Sequence, residues 1–303
     1  MSRHNYDILI PGNYFCDLIF TGIPRFPSLG TEVYTTGLTV TVGGVLNTVI
    51  GLRRLGVNVG WCGRIGNDMF SQFVLSQIQK EGVDLELLQQ IDGQFQRVTV
   101  AISYPEDRAF LSYADAAPNS IDLVLENMDK IDFRHLHFTG LQVDPRTPDL
   151  LRQVRARGVT ISMDCQHRPT TLATPPVAEV LSLVDIFMPN LFEAQLLSEA
   201  STLEDAAMQL RQHVPLLVIK DGGNGVHAWR GDEYIYAPAI SVTPLDTTGA
   251  GDVFNAGFLS GYLEGRELVE CLRLGNICGG LSTMGHGGTS TAPHRAEVDQ
   301  WLA

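Results

Sequence analysis

The stretch DTTGAGD at 246–252, read with the apolar run VFNAGFLSGYLEG at 253–265, decides how this chain is understood. Two glycines around one alanine let the backbone turn tightly and point successive N–H groups into one concavity. A helix starting there adds the positive end of its dipole. Such a turn suits an anion, and Asp252, closing it, stands where a carboxylate could take a proton from an approaching nucleophile. That combination describes phosphoryl transfer, although taken alone it is equally a glycine turn with an acidic cap. The surrounding chain has to decide between the two.

Upstream, YDILIPG is a short apolar strand ending at Gly12, and FCDLIF carries one acid, Asp17, among apolar neighbours. TEVYTTGLTVTVGG is rich in β-branched residues and predicts a strand over 31–42 that closes on Gly43 and Gly44. VLNTVIGLRRLG and MFSQFVLSQIQKEG have helical spacing and glycine stops, with the strand VNVGWCGRI between them. RVTVAISYPEDRAFLSY breaks this rhythm as two alternating strands around 105–107 with no helix between. From Ile131 strand and helix alternate again to PLLVIKDGGNG. This pattern predicts one α/β domain over 1–303, built on a mostly parallel sheet with helices on both faces. Its ligands should sit beyond the carboxyl ends of the strands. A small separate β-sheet should form from about 14–43 and 96–116.

With 44% hydrophobic and 18% charged residues the composition is globular, and a net charge of −13 argues against nucleic acid or anionic membranes as partners. The five cysteines are widely spaced without metal-ligand or disulfide patterning and read as reduced core residues. No signal peptide or membrane span is evident, so a cytoplasmic enzyme is expected. There is neither a GxxxxGK[ST] loop nor a GxGxxG fingerprint, which leaves P-loop NTPases and dinucleotide dehydrogenases without support.

DTTGAGD, together with GRIGNDMF at 63–70 and GVD at 82–84, makes the chain resemble the ribokinase-like, PfkB-type carbohydrate kinases along nearly its whole length. The resemblance implies their fold, with the small sheet as a lid over the acceptor and part of a homodimer interface. It implies ATP and Mg²⁺ as cofactors and a small sugar or nucleoside acceptor. Asp252 then resembles the general base, and Gly249, Ala250 and Gly251 the donors to the transferring phosphoryl group. Asn190 and Glu193 in PNLFE resemble the family's NxxE motif near Mg²⁺, although the same pair makes an ordinary helix N-terminus.

Gly222 and Gly225 in KDGGNG resemble the nucleotide loop. Here Lys220 and Asp221 stand where the family usually has a hydroxyl and an apolar residue, and Lys220 either reaches a phosphate or pairs with Asp221. Asn276 falls on the helix lining the adenine pocket, its alternative partner being a neighbouring backbone group. Asp17 matches the sugar-binding aspartate. Gly43, Gly44 and Asn47 resemble GGxxxN with Asn47 one residue closer, and Val45 replaces the lysine of phospho-sugar members, which favours a non-phosphorylated acceptor. Asp246, Thr248, Gly287 and Thr291 match positions framing a monovalent cation site for K⁺. Arg168 is either an acceptor-binding arginine or a solvated loop residue. Three functions remain open: a sugar kinase, a nucleoside kinase with Tyr14 and Phe15 stacking on a base, and a catalytically silent sugar- or nucleotide-binding regulator on the same scaffold.

Overall fold

The structure, a computed structural model, describes residues 4–103, 108–166 and 169–302. β1 (His4–Pro11) is the buried apolar strand expected from YDILIP. β2 (Tyr14–Thr21) and β3 (Gly37–Gly44) follow as an antiparallel pair, then α1 (Leu46–Arg54), β4 (Val59–Ile65) and α2 (Met69–Lys80). Asp68 fixes the start of α2 by accepting the N–H groups of Phe70 and Ser71. A short edge strand β5 (Leu88–Gln90) precedes the second excursion, β6 (Arg97–Ser103) and β7 (Arg108–Ala114).

The chain then alternates through α3 (Ser120–Asn127), β8 (Ile131–Phe138), α4 (Thr147–Ala156), β9 (Thr160–Met163), α5 (Val177–Leu183), β10 (Ile186–Phe187), α6 (Leu191–Ser198), α7 (Leu203–Leu210) and β11 (Leu216–Lys220). A hairpin of β12 (Val226–Arg230) and β13 (Glu233–Ala237) leads to α8 (Ala250–Leu263), α9 (Leu268–Ser282) and α10 (Arg295–Leu302).

Nine strands form the main sheet in the order β13-β12-β11-β10-β9-β8-β1-β4-β5. It is parallel from β11 to β5, and the β12–β13 hairpin, absent from the sequence reading, adds an antiparallel edge. One apolar core lies under α3 to α7, and a second lies under α1, α2, α8 and α9. α8 is apolar nearly all round, so it is buried along most of its length rather than floating on the sheet.

The small sheet has the order β3-β2-β6-β7, with β2 and β6 parallel and the outer pairs antiparallel. The strand expected over 31–42 begins only at Gly37. Gly37 pairs with Thr21, and beyond Thr21 the prolines at 24 and 27 end β2, so the β-branched residues at 31–36 have no strand to join. The 105–107 turn and Arg168 lie outside the described residues. All five cysteines are free and buried, as a reduced core requires.

Candidate active site

Adjacent parallel strands deliver polar groups to one edge of the sheet. Asp164 follows the last residue of β9, Asn190 precedes α6 just after β10, and Lys220 ends β11. α8 points its N-terminus at the same edge. Gly249 is its cap with φ +73°, a left-handed conformation, and a Cβ there would lie 2.7 Å from the Cα of Gly288. The N–H groups of Gly249, Gly251 and Asp252 have no hydrogen-bond partner among the described residues, and that of Ala250 makes one 3.3 Å bond to the Thr247 carbonyl. Orphan donors at a helix start form an anion cradle. A Cβ on Gly251 would meet the ammonium of Lys220 at 3.4 Å, so the cradle has a cation in its wall.

Lys220 does not pair with Asp221. It donates to Asp164 Oδ2 at 2.7 Å and to Asn255 Oδ1 at 3.2 Å, and Asn255 Nδ2 donates to the same Asp164 oxygen. Two of the three ammonium protons are thereby fixed, which leaves the third for the cradle. Asp221 instead accepts from Asn224 within the loop.

Asp252 sits partly exposed at the mouth of the site yet hemmed in by protein. Burial, then the nearby Asp164 carboxylate, raises its pKa to about 6. Asn47 donates to its Oδ2 at 3.1 Å, and Thr48 donates to its backbone carbonyl at 3.3 Å. Asn47 Oδ1 is buried without a partner, an acceptor left available next to the base. Asp17 is buried, and desolvation first, then the Asp252 and Asp246 charges, raises its pKa to about 7. Its carboxylate lies against Gly43, where a Cβ would come within 2.0 Å of Oδ2, so only glycine fits beneath it. Gly44 ends β3 beside the Asn13 carbonyl.

Asn190 and Glu193 form a reciprocal capping box: Asn190 Oδ1 accepts the Glu193 N–H at 2.8 Å and Glu193 Oε2 accepts the Asn190 N–H at 2.9 Å. The ordinary helix-start reading of PNLFE therefore describes their hydrogen bonds. Desolvation and then Asp164 also raise the Glu193 pKa to about 7. Three carboxylates thus crowd one lysine, an environment that favours a further cation, and the second Glu193 oxygen is not used by the box. Among the described residues no group of three or more His, Cys, Asp or Glu is arranged to hold a metal alone.

Beyond the cradle runs a cleft of about 270 Å³ lined by Gly222, Gly225, Ile240, Val242, Asn276 and Gly279 among others. Nothing lies within 4 Å of where side chains on Gly222 or Gly223 would begin, so this loop leaves room for a flat or extended ligand. Asn276 lines the cleft, but its amide donates to the Ala237 and Pro238 carbonyls, tying α9 to the end of β13. Asp246 Oδ1 accepts the Thr248 N–H and Oδ2 the Gly287 N–H, which joins the two loops expected to frame a cation. Thr248 Oγ1 is buried without a partner, whereas the Thr291 hydroxyl donates to the Ser282 carbonyl.

Asp164, Asn255, Thr48 and Thr289 were not singled out in the sequence. Asp164 carried a usable signal, being an acid just beyond an apolar strand on a sheet edge where ligands bind. Asn255 carried the signal already noted at Asn276, a polar side chain on an apolar helix. Thr289 had none: its hydroxyl meets that of Thr41 at 3.2 Å, a contact across 248 positions that ties the small sheet to the 285–291 loop.

An anion cradle at a helix start, a base beside it and a flat cleft behind it on a parallel sheet define a phosphotransferase of the doubly wound α/β class. The chain belongs to the pfkB family carbohydrate kinases, whose family profile matches residues 24–295, and it is accordingly an ATP-dependent sugar kinase. It is similar to the fructokinase of Escherichia coli, 29% identical over 280 residues that cover 85% of this chain and 90% of the relative. It is also similar to the 2-dehydro-3-deoxygluconokinase of Bacillus subtilis, 27% identical over 278 residues, 86% of each chain. Its fold matches the crystal structure of a putative ribokinase II from E. coli in complex with ATP and Mg²⁺ at a TM-score of 0.83, 24% identity and coverage of 99% of both chains.

Proposed function

We propose that this kinase phosphorylates a hydroxyl of a small, non-phosphorylated sugar or related polyol, with Asp252 as general base. The observation that carries the reading is the pairing of the Asp252 carboxylate with the orphan N–H groups of Gly249, Gly251 and Asp252, a base and an anion cradle formed by one helix turn. Asp17 accepts hydrogen bonds from acceptor hydroxyls and presents one of them to Asp252. Asn47 holds Asp252 and offers its unpaired Oδ1 to the same acceptor. With a pKa near 6, Asp252 is ionised at neutral pH yet basic enough to take the proton as the bond to phosphorus forms. The N–H groups of 249–251 and the Lys220 ammonium meet the charge that collects on the phosphoryl oxygens.

The cleft behind Gly222 and Gly225 would hold ATP as the phosphoryl donor, and Mg²⁺ would supply charge neutralisation for its phosphates. Glu193, with Asn190 fixing it, would face that ion's water shell. The small sheet serves as a lid that closes on the acceptor and excludes water. Its outward face carries Leu38, Val40, Leu111 and Tyr113, all exposed, and this is the surface for pairing with a second copy. Two facts speak for a sugar over a nucleoside. The Tyr14 ring is wholly buried with its hydroxyl bonded to the Phe95 carbonyl, and the Arg97 guanidinium covers Phe15 at 4.8 Å. Neither ring is left free to stack on a base. The relatives' names do not agree on whether the acceptor is a neutral ketose or a sugar acid.

The deciding experiment is ATP consumption over an acceptor panel by the wild type and Asp252→Asn. Asparagine keeps the size and can still accept from Asn47, but it cannot take a proton at neutral pH. Turnover should fall by roughly 10²–10⁴-fold with ATP affinity and melting unchanged. Near-full turnover in a folded Asp252→Asn protein would remove the catalytic assignment.

A further inference from the structure

We propose that Arg97 determines acceptor specificity, and that the acceptor carries a carboxylate at the end remote from the hydroxyl that is phosphorylated. This rests on the sugar-kinase reading above and deepens it. Side chains two apart on a strand share a face, so Phe15 lies on the face of the small sheet that carries Asp17. That face looks into the site, because the Asp17 carboxylate rests on Gly43 and feels the charges of Asp252 and Asp246. Val98 pairs with Cys16 and Thr99 with Asp17, which sets Arg97 beside Phe15 in the next row, opposite Ala114 on β7. The guanidinium lies over the Phe15 ring at 4.8 Å from its centroid.

Gly43, Phe15 and Arg97 thus stand side by side on three neighbouring strands. At about 4.8 Å per strand, the ground under Asp17 and the start of the Arg97 side chain are about 10 Å apart, with the flat Phe15 ring between them. The guanidinium itself reaches back over the Phe15 ring, so an open-chain six-carbon polyol with its hydroxyls on Asp17 brings a charged end to Arg97 without lying on that ring.

The guanidinium has unspent capacity. Nε donates to the Tyr14 carbonyl at 3.1 Å and Nη1 to the Asp115 carbonyl at 3.0 Å, while Nη2 donates to nothing among the described residues. No described carboxylate forms an ion pair with it. Asp115, whose backbone carbonyl Arg97 holds, turns its side-chain oxygens to the Gln96 N–H and the Tyr113 hydroxyl. Burial holds the Arg97 pKa below the usual arginine value, with the Tyr14 and Asp115 charges only partly offsetting it, so the guanidinium is partly desolvated without a carboxylate in contact. A half-buried cation with an unused N–H edge, fixed by two carbonyls and held against the Phe15 and Phe95 rings, favours an anion over a neutral hydroxyl. One such edge suits a carboxylate. A phosphate dianion ordinarily draws more than one cation, and Val45 contributes none.

The test compares matched acceptors with wild type, Arg97→Met and Arg97→Lys. D-gluconate and 2-dehydro-3-deoxy-D-gluconate are set against D-glucitol and D-fructose, with fructose 6-phosphate as the other anion source. ADP release is measured throughout, and calorimetry follows D-gluconate binding to the protein saturated with a non-hydrolysable ATP analogue. The acids should exceed their neutral partners in kcat/KM by at least tenfold. Arg97→Met should cost the best acid roughly 10- to 100-fold more than the best neutral acceptor, the worth of one charge-assisted pair, and Arg97→Lys should restore part of the difference. Because Arg97 also ties strand roots together, the ratio between acid and neutral acceptors is the readout rather than either rate alone. Preference for neutral sugars or for fructose 6-phosphate, or equal losses for acid and neutral acceptors in Arg97→Met, would overturn the inference while leaving the kinase reading intact. D-gluconate binding that Arg97→Met abolishes, without ATP consumption on any acceptor, would support the inference and sink the catalytic reading.

Discussion

Replacing Lys220 by methionine separates two roles that the structure superimposes. The ammonium is the charge partner of Asp164 at 2.7 Å, with side-chain exposures of 11% and 9%, and it is also the cation in the wall of the phosphate cradle. Removing one member of a buried pair leaves the other charge uncompensated, a loss of about 3–5 kcal/mol. For a chain of this size that lowers the melting temperature by roughly 5–15 °C. The double variant Lys220→Met/Asp164→Asn removes both charges. It lets the new amide at 164 share hydrogen bonds with Asn255, so most of the lost stability should return.

Catalysis should not return with it. A donor aimed at developing phosphoryl charge is worth roughly 10²–10³-fold in kcat, and neither variant has one at 220. The assay is kcat with the best acceptor at saturating ATP, alongside melting by calorimetry, for wild type, both single variants and the double. A double variant that is stable and turns over within threefold of wild type would show Lys220 to be only a counter-ion, and the cradle argument would fail.

Three further outcomes follow from the same geometry. Protonation of Asp252, whose pKa is raised to about 6, removes the base, so kcat should fall with an acidic limb near pH 6 or somewhat above once the anionic nucleotide is bound; a flat profile down to pH 5 would contradict the assignment. If a monovalent cation binds where Asp246 joins the 246–248 and 287 loops, beside the unpaired Thr248 hydroxyl, replacing K⁺ by tetramethylammonium at equal ionic strength should lower turnover severalfold, and identical rates would remove the site. Leu111→Asp on the outward face of the small sheet should convert a dimer to a monomer in sedimentation velocity with little change in melting, and a monomeric wild type would refute the paired-lid proposal.

The sequence by itself determined what local pattern encodes. Alternating apolar strands and helices fixed the parallel sheet, two helix-free β excursions fixed the separate small sheet, and the glycines of DTTGAGD fixed a tight turn into a helix, whose cap Gly249 is left-handed. Asp17 and Asp252 did not stand out alone, since an acid on a strand or closing a glycine turn is ordinarily structural; the resemblance of the surrounding motifs singled them out. Only the tertiary structure decided where long-range partners fall. Lys220 meets Asp164 and Asn255 rather than its neighbour Asp221, since Asp164 lies just beyond a nearby strand, 56 positions away, and Asn255 faces both from α8. It decided that PNLFE spends its hydrogen bonds as a capping box, and that residues 31–36 stay out of the sheet because no strand continues opposite them. It also brought Arg97 over Phe15 on the face that holds Asp17. Strand register sets that juxtaposition, and a one-residue slip would have turned Arg97 to the outer face, so no local pattern in the chain could announce it.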